Sequence, residues 1–190
     1  MRARISQSCA RRETPCWPAA DGAFGVAIET RERLRLFHTP DDLFDLVMDV
    51  RSYPDFIPQI TAMRVLNEAR EGPLTEMTAE ARVRYKFVAE RFTSRVIADA
   101  SRRSIDVGFV AGPFRVLENS WRFHPLSDGS TLVDFGIRAE FRNAILQMLL
   151  ESNRDRAGRI LVQKFSAEAE RRYPRSGDPS RDLAEEIDAL

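Results

Sequence analysis

The chain has few of the residues on which secreted scaffolds and most catalytic centres depend. Its two cysteines, Cys9 and Cys16, both precede every periodic segment. A disulfide framework would place cysteines among the strands, and a zinc site would need closer pairs with further Cys or His partners. Both thiols therefore read as incidental and suit a reducing compartment. Histidine is equally scarce. His38 falls at a strand end and His124 beside Pro125, both read as surface residues, and no Ser/His/Asp or metal-ligand spacing surrounds them. With no positioned acid, base or ligand set in view, no catalytic residue and no metal ligand is assigned. Apolar runs are short as well. None approaches the roughly 20 residues a membrane-spanning helix needs, so the reading is a soluble or peripheral protein. Finally, 29 basic residues match 29 acidic ones, so no global field draws the chain to nucleic acid or an acidic membrane.

The ends differ from the middle. Residues 1–26 lack hydrophobic periodicity, hold Arg2, Arg4, Arg11 and Arg12, and are broken by Pro15 and Pro18. This flexible extension reads equally as a transit peptide, a disordered bacterial extension or a start codon placed too early, but not as a secretory signal, because no apolar core follows the arginines. Residues 174–190 form a polar tail in which Arg181 to Leu190 suggests a frayed helix. Both ends are taken as accessories to a domain spanning residues 27–173.

What fills that domain is alternation. Met77, Ala79, Ala81, Val83 and Tyr85 are apolar, while Glu76, Glu80, Arg82 and Arg84 take positions between them. The same period of two returns in Ile105, Val107 and Phe109, in Trp121 and Phe123, and in Val133, Phe135, Ile137, Ala139 and Phe141. Such strands form an antiparallel sheet with one solvated face and one buried face rich in aromatics. Thr30 to Phe37 suits a first strand, Ile60 to Asn67 a second, and Glu90 to Asp99 a fourth with Phe92, Ser94, Val96 and Ala98 inward. Glu71-Gly72-Pro73 and Asp128-Gly129 are turns. Val110 to Leu117 reads as a loop around Gly112-Pro113, with Phe114 either closing a pocket mouth or plugging the core.

Helix signals are fewer. Thr39 supplies an N-cap oxygen, Pro40 the first helical residue, and Asp41 and Asp42 favour the positive end of the dipole. Leu43, Phe44, Leu46, Val47 and Val50 follow at helical spacing, and Tyr53-Pro54 stops the run. The connector from Arg51 to Pro58 carries Tyr53 and Phe56, which read as a rigid cap on the core or as a pocket wall. Beyond Phe141 the chain reads as one helix to about Arg172, long enough to cross the sheet. Its stripe of Ile145, Leu146, Leu149, Leu150, Ala157, Ile160, Leu161 and Phe165 lapses around Glu151-Ser152-Asn153-Arg154, where the helix either meets water or breaks. A helix with so few large side chains at its centre implies a cavity between it and the sheet.

One strand, two short helical pieces, six strands and a long terminal helix make an α+β helix-grip arrangement, a curved antiparallel sheet wrapped around a C-terminal helix. From about Thr30 to Tyr173, roughly three quarters of the chain, the sequence resembles the coenzyme Q-binding proteins of the START-like polyketide cyclase/dehydrase and lipid transport superfamily. The resemblance rests on Tyr53-Pro54-Asp55-Phe56-Ile57-Pro58, on Glu90 to Val96, on Gly112-Pro113-Phe114 with Leu117-Glu118-Asn119 and Trp121-Arg122-Phe123, and on Val133-Asp134-Phe135 with Glu140-Phe141-Arg142. It departs from relatives at Glu151 to Arg154, where they tend to be apolar.

The resemblance implies non-enzymatic binding of ubiquinone or a related isoprenoid lipid in an apolar cavity, in support of respiratory electron transport or quinone biosynthesis. Ubiquinone would be a carried ligand; no cofactor is expected. Candidates for its site are Tyr53, Phe56, Met77, Val83, Phe109, Phe114, Trp121, Phe135, Leu146 and Leu149, with Tyr85 and Ser94 as hydrogen-bond partners for a quinone oxygen. The resemblance also covers ribosome-association toxins and enzymes of cyclase and dehydratase type. Arg82, Arg84, Arg91 and Arg95 would supply either a basic patch for a macromolecular partner or a solvated charged face. The expected place is the cytoplasm, peripheral at the inner membrane in transient contact with its surface or with respiratory and quinone-biosynthesis proteins, or the mitochondrial matrix side in a eukaryote.

Overall fold

A computed structural model describes residues 27–85 and 87–190; Cys9, Cys16 and the whole N-terminal extension fall outside the described residues. The first strand, β1 (Ile28–Leu36), leads into helix α1 (Pro40–Met48). Thr39 caps α1 as its sequence predicts: its Oγ1 accepts from the backbone N–H of Asp42 at 3.2 Å and donates to the Asp42 carboxylate at 2.6 Å. Leu43, Phe44, Leu46 and Val47 are buried on one side of α1. The helix stops at Met48, earlier than Tyr53-Pro54. A 3-10 turn, Val50–Ser52, follows, and Pro54 instead occupies the first turn of a second short helix, α2 (Tyr53–Phe56), where its missing N–H costs nothing.

Six strands come next: β2 (Ile60–Glu71), β3 (Leu74–Tyr85), β4 (Val88–Asp99), β5 (Ser104–Ala111), β6 (Phe114–Pro125) and β7 (Thr131–Phe141). They form one seven-stranded sheet in the order β1-β7-β6-β5-β4-β3-β2, antiparallel throughout. The segment from Val110 to Leu117 is not a loop. β5 runs to Ala111 and β6 resumes at Phe114, leaving only Gly112-Pro113 between them. Gly112 makes this possible with φ +132, and a Cβ there would lie 2.6 Å from Phe92 Cβ and 2.9 Å from the Arg91 carbonyl.

The expected single terminal helix is two, α3 (Ala144–Glu151) and α4 (Arg154–Arg172). Two polar side chains lie at the break. Ser152 Oγ donates to the Met148 carbonyl at 2.8 Å beside the backbone N–H of Ser152 at 3.0 Å. The N–H of Asn153 instead turns to the Leu150 carbonyl, and its Nδ2 takes over the Leu149 carbonyl at 2.8 Å, the bond a continuing helix would make through the backbone. α4 lies along β1, with Gly158 where a Cβ would sit 2.7 Å from Thr30 Oγ1. Val162, Phe165 and Ala169 turn inward from it, while Ile145 and Ile160, placed on the apolar stripe from sequence, are 54% and 45% exposed.

The C-terminal segment packs back on the domain. A short helix, α5 (Ala184–Asp188), brings buried Leu183 and half-buried Ile187 against Leu126 and Leu132. Arg35 anchors the approach, donating to Asp128 Oδ2 at 2.6 Å, to Ser130 Oγ at 2.8 Å and to the carbonyls of Asp178 and Arg181 at 2.8 Å each. Burial pushes the Asp128 carboxyl up. Hydrogen bonds from the Ser130 hydroxyl, the backbone N–H groups of Asp178 and Ser130, and Arg35 outweigh it and hold Asp128 well below the usual carboxylate range.

Candidate ligand-binding site

The inner face of the sheet carries two apolar clusters. The larger joins α1, α2 and α4 to the sheet. Tyr53 and Phe56 each lie 5.2 Å from the Phe165 ring, Trp121 lies 5.0 Å from it, and Trp121 and Phe135 are 4.3 Å apart. The Tyr53 hydroxyl donates to the Val47 carbonyl at 2.5 Å, and burial raises its pKa far above that of a free tyrosine. The smaller cluster surrounds Phe114, which stacks on Phe141 at 4.3 Å and meets Phe92 at 5.3 Å and Phe109 at 6.2 Å. Phe114 is buried at the centre of its cluster.

A third set of inward residues stands apart from these. Ala79 pairs with Ser94, Ser94 with Phe109, and Ala81 with Phe92, so small side chains adjoin across β3 and β4. Ala81, Ser94 and Leu146 are buried and Val83 and Leu149 half-buried, yet among the described residues none of them belongs to either aromatic cluster. No hydrogen bond engages the Ser94 hydroxyl among the described residues. It is the one polar side chain on the inward row Phe92, Ser94, Val96 and Ala98 of β4, and its cross-strand partners Ala79 and Phe109 are both apolar.

Of the residues assigned from sequence, Tyr53, Phe56, Met77, Trp121 and Phe135 thus come together in the larger cluster and Phe109 and Phe114 in the smaller one. Val83, Ser94, Leu146 and Leu149 belong to neither cluster. Tyr85 sits at the end of β3 and is 40% exposed. Sequence reading did not foresee the exposed side of α3, where Ile145 and Met148 meet water, nor Phe87 at the β3–β4 turn, 78% exposed. Periodicity places residues on a face without saying what covers it.

One of the two histidine readings needs correction. His38 is not a surface residue: it is 1% exposed, because the chain leaving α4 returns over it, with Nδ1 3.2 Å from the Pro174 carbonyl and Nε2 3.6 Å from Glu170 Oε1. His124 does lie on the outer face of the sheet, half-buried, its Nε2 3.1 Å from Asp134 Oδ2. Among the described residues no cluster of three His, Cys, Asp or Glu groups suits a metal ion. The arginines of the outer face are partly neutralised. Arg95 makes two 2.8 Å bonds to Glu76, which hold that carboxylate below its ordinary pKa, and Arg91 lies 3.7 Å from Glu80.

The family model for polyketide cyclase/dehydrase and lipid transport proteins matches residues 37–166, which span β2 to β7 and most of α4. The chain belongs to this family. Among curated relatives, the ribosome association toxin RatA of Rickettsia prowazekii is 35% identical over 118 residues, covering 60% of this chain and 77% of that protein. The mitochondrial coenzyme Q-binding protein COQ10 homolog B of Xenopus laevis is 28% identical over 155 residues, 80% of this chain and 62% of that one. The solved 18 kDa protein CC1736 of Caulobacter crescentus is 42% identical with a TM-score of 0.63, covering 75% of this chain and 96% of its own. A START superfamily protein of Mycobacterium smegmatis, 16% identical with a TM-score of 0.64 over 75% of this chain and 97% of its own, shares the fold. The α+β helix-grip reading of the sequence therefore holds. No helix of the described residues is long and apolar enough to cross a membrane.

Proposed function

We propose that this chain binds ubiquinone or a related isoprenoid lipid between the inner face of the sheet and α3, without transforming it, in support of respiratory electron transport or quinone biosynthesis. One observation carries the reading: Ala81, Ser94 and Leu146 are buried and Val83 and Leu149 half-buried, yet all lie outside both aromatic clusters. A prenyl chain gains about 25 cal/mol for each Å² it buries, and a surface of Ala, Val and Leu supplies that without competing polar groups. The Ser94 hydroxyl is the donor for a quinone oxygen. Tyr53, Phe56, Met77, Trp121 and Phe135 form a firm floor at one end, and Phe109 and Phe114 a wall at the other. Tyr85, at the strand tip, meets the head group only as it enters. The likeness to a protein named as coenzyme Q-binding supports the choice of ligand. The place of action is the cytoplasmic side of a bacterial inner membrane, or the matrix side of its mitochondrial counterpart.

Mass spectrometry of organic extracts from the purified chain tests this directly. Co-purifying quinone, with saturable rebinding to the extracted protein, is the expected result; extracts free of isoprenoid together with no saturable binding of long-tail quinones would remove the proposal. A second reading is favoured by the likeness to proteins named ribosome association toxins. Co-sedimentation with ribosomal subunits, weakening as salt rises, would shift the assignment to that role.

A further inference from the structure

The sheet ends unevenly, and its uneven end is where exposed apolar side chains gather. Thr93 pairs with Ala111, the last residue of β5, whereas β4 begins at Val88 and β3 ends at Tyr85. Gly112 of the β5–β6 turn lies against Arg91 and Phe92, so the β3–β4 hairpin projects about three residues, roughly 10 Å, past that turn. Phe87 stands at its tip with 78% of its surface in water. α3 starts at this same end, directly after β7, where the backbone N–H of Arg142 donates to the Pro113 carbonyl at 2.9 Å. Ile145 and Met148, three residues apart on α3, are 54% and 57% exposed, while Leu146 on the opposite side is buried. A helix of eight residues with an apolar side in water has not spent all of its apolar surface on the fold.

Exposed charge at this end is mainly basic although the chain as a whole has no net charge: Arg82, Arg84, Arg91, Arg115 and Arg142 are exposed, against exposed Glu151, half-buried Glu90 and buried Glu140. Arg84 and Arg142 are exposed and make no ion pair among the described residues, and Arg115 reaches only Glu140, which is 8% exposed, at 3.6 Å. The exposed carboxylate of α3, Glu151, already accepts from Gln147 Nε2 at 2.9 Å. Apolar side chains held out among exposed arginines complement an anionic bilayer surface, the first entering the acyl boundary and the second meeting phosphates. We infer that this end of the molecule docks on anionic membrane, with Phe87, Ile145 and Met148 inserting and Arg84, Arg115 and Arg142 holding the headgroups. The site beneath α3 then opens toward the layer that holds an isoprenoid lipid. The docking itself needs no bound quinone.

Flotation of the full chain with quinone-free vesicles tests the inference. Vesicles of phosphatidylcholine with a share of phosphatidylglycerol should carry the protein, vesicles of phosphatidylcholine alone should not, and added salt should release it. Arg84→Glu and Arg142→Glu should each weaken binding about fivefold or more, and Phe87→Ser with Met148→Ser about tenfold or more. These side chains are exposed, so an unchanged melting temperature certifies each variant. Equal binding by the variants, no preference for anionic vesicles, or loss of ribosome binding by the same variants without any vesicle binding would overturn the proposal. Because the vesicles hold no quinone, failure here leaves the extraction experiment on the ligand standing, and failure there leaves this one.

Discussion

Glu168→Gln probes the pin that closes the grip. Glu168 is 5% exposed near the end of α4, where its Oε1 accepts from Arg171 Nη2 and Arg172 Nε at 2.6 Å each and its Oε2 accepts from Arg171 Nε at 2.9 Å. Arg172 extends the network to Asp49 at 2.8 Å and covers the Phe56 ring at 5.8 Å, so one carboxylate ties α4 to the α1–α2 connector. The hydrogen bonds from Arg171 lower the Glu168 pKa, burial opposes them, and Arg172 adds to the lowering, bringing it from the ordinary 4.5 to about 2. A fall of that size is linked to at most about 3 kcal/mol of stability. Arg171 is 68% exposed, and solvent screening brings the expected value to about 1–2 kcal/mol.

The sign follows from which state binds the proton. The folded pKa lies below the unfolded one, so the stabilisation is complete above about pH 4.5 and fades as pH falls toward 2. Urea unfolding followed by far-UV circular dichroism, on the parent chain and on Glu168→Gln, should give midpoints that differ near pH 7, differ less at about pH 3 and draw together only toward about pH 2. A variant as stable as the parent near neutrality, or a difference that ignores pH, would refute the reasoning.

Other substitutions test other parts of the fold. Gly112→Ala puts a Cβ against β4 at a positive φ and should cost about 2 kcal/mol or more, read as a lower urea midpoint. Phe165→Ala empties the contact shared by Tyr53, Phe56 and Trp121 and should cost about 3–5 kcal/mol in the same assay. Asp128→Ala removes the anchor of Arg35 and the C-terminal segment; protease should then cut between Ser176 and Leu183 faster than in the parent chain, while the sheet persists. Ser94→Ala should weaken quinone binding about fivefold through one lost hydrogen bond, with the melting temperature unchanged.

The alternation of charged and apolar residues determined the strands, because a sheet with one wet face must present every second side chain to water. Thr39-Pro40-Asp41-Asp42 fixed the start of α1 just as firmly, since each of those residues satisfies a helix N-terminus by itself. The Gly112-Pro113 segment was harder. Its turn residues read as a loop, and only the approach of β4 to within 2.6 Å of a would-be Cβ shows that the glycine serves a tight hairpin. The lapse in the helix stripe at Ser152-Asn153 was legible, but whether it opened the helix to water or broke it depended on which carbonyls those side chains would reach.

Contacts between distant segments were beyond local pattern. His38 is buried because the chain after α4 returns to it from 136 residues away, and the polar C-terminal tail finds its place through Arg35 and Asp128. The same holds for the candidate site. Sequence alone established that aromatics and small residues share the inner face, since that follows from a period of two. Tertiary packing decided that most of the aromatics lock against one another, that Ala81, Ser94 and Leu146 are buried outside those clusters, and that Phe87, Ile145 and Met148 face water. The physical reason is that periodicity constrains the direction of a side chain, whereas what it touches depends on chain segments far away in sequence.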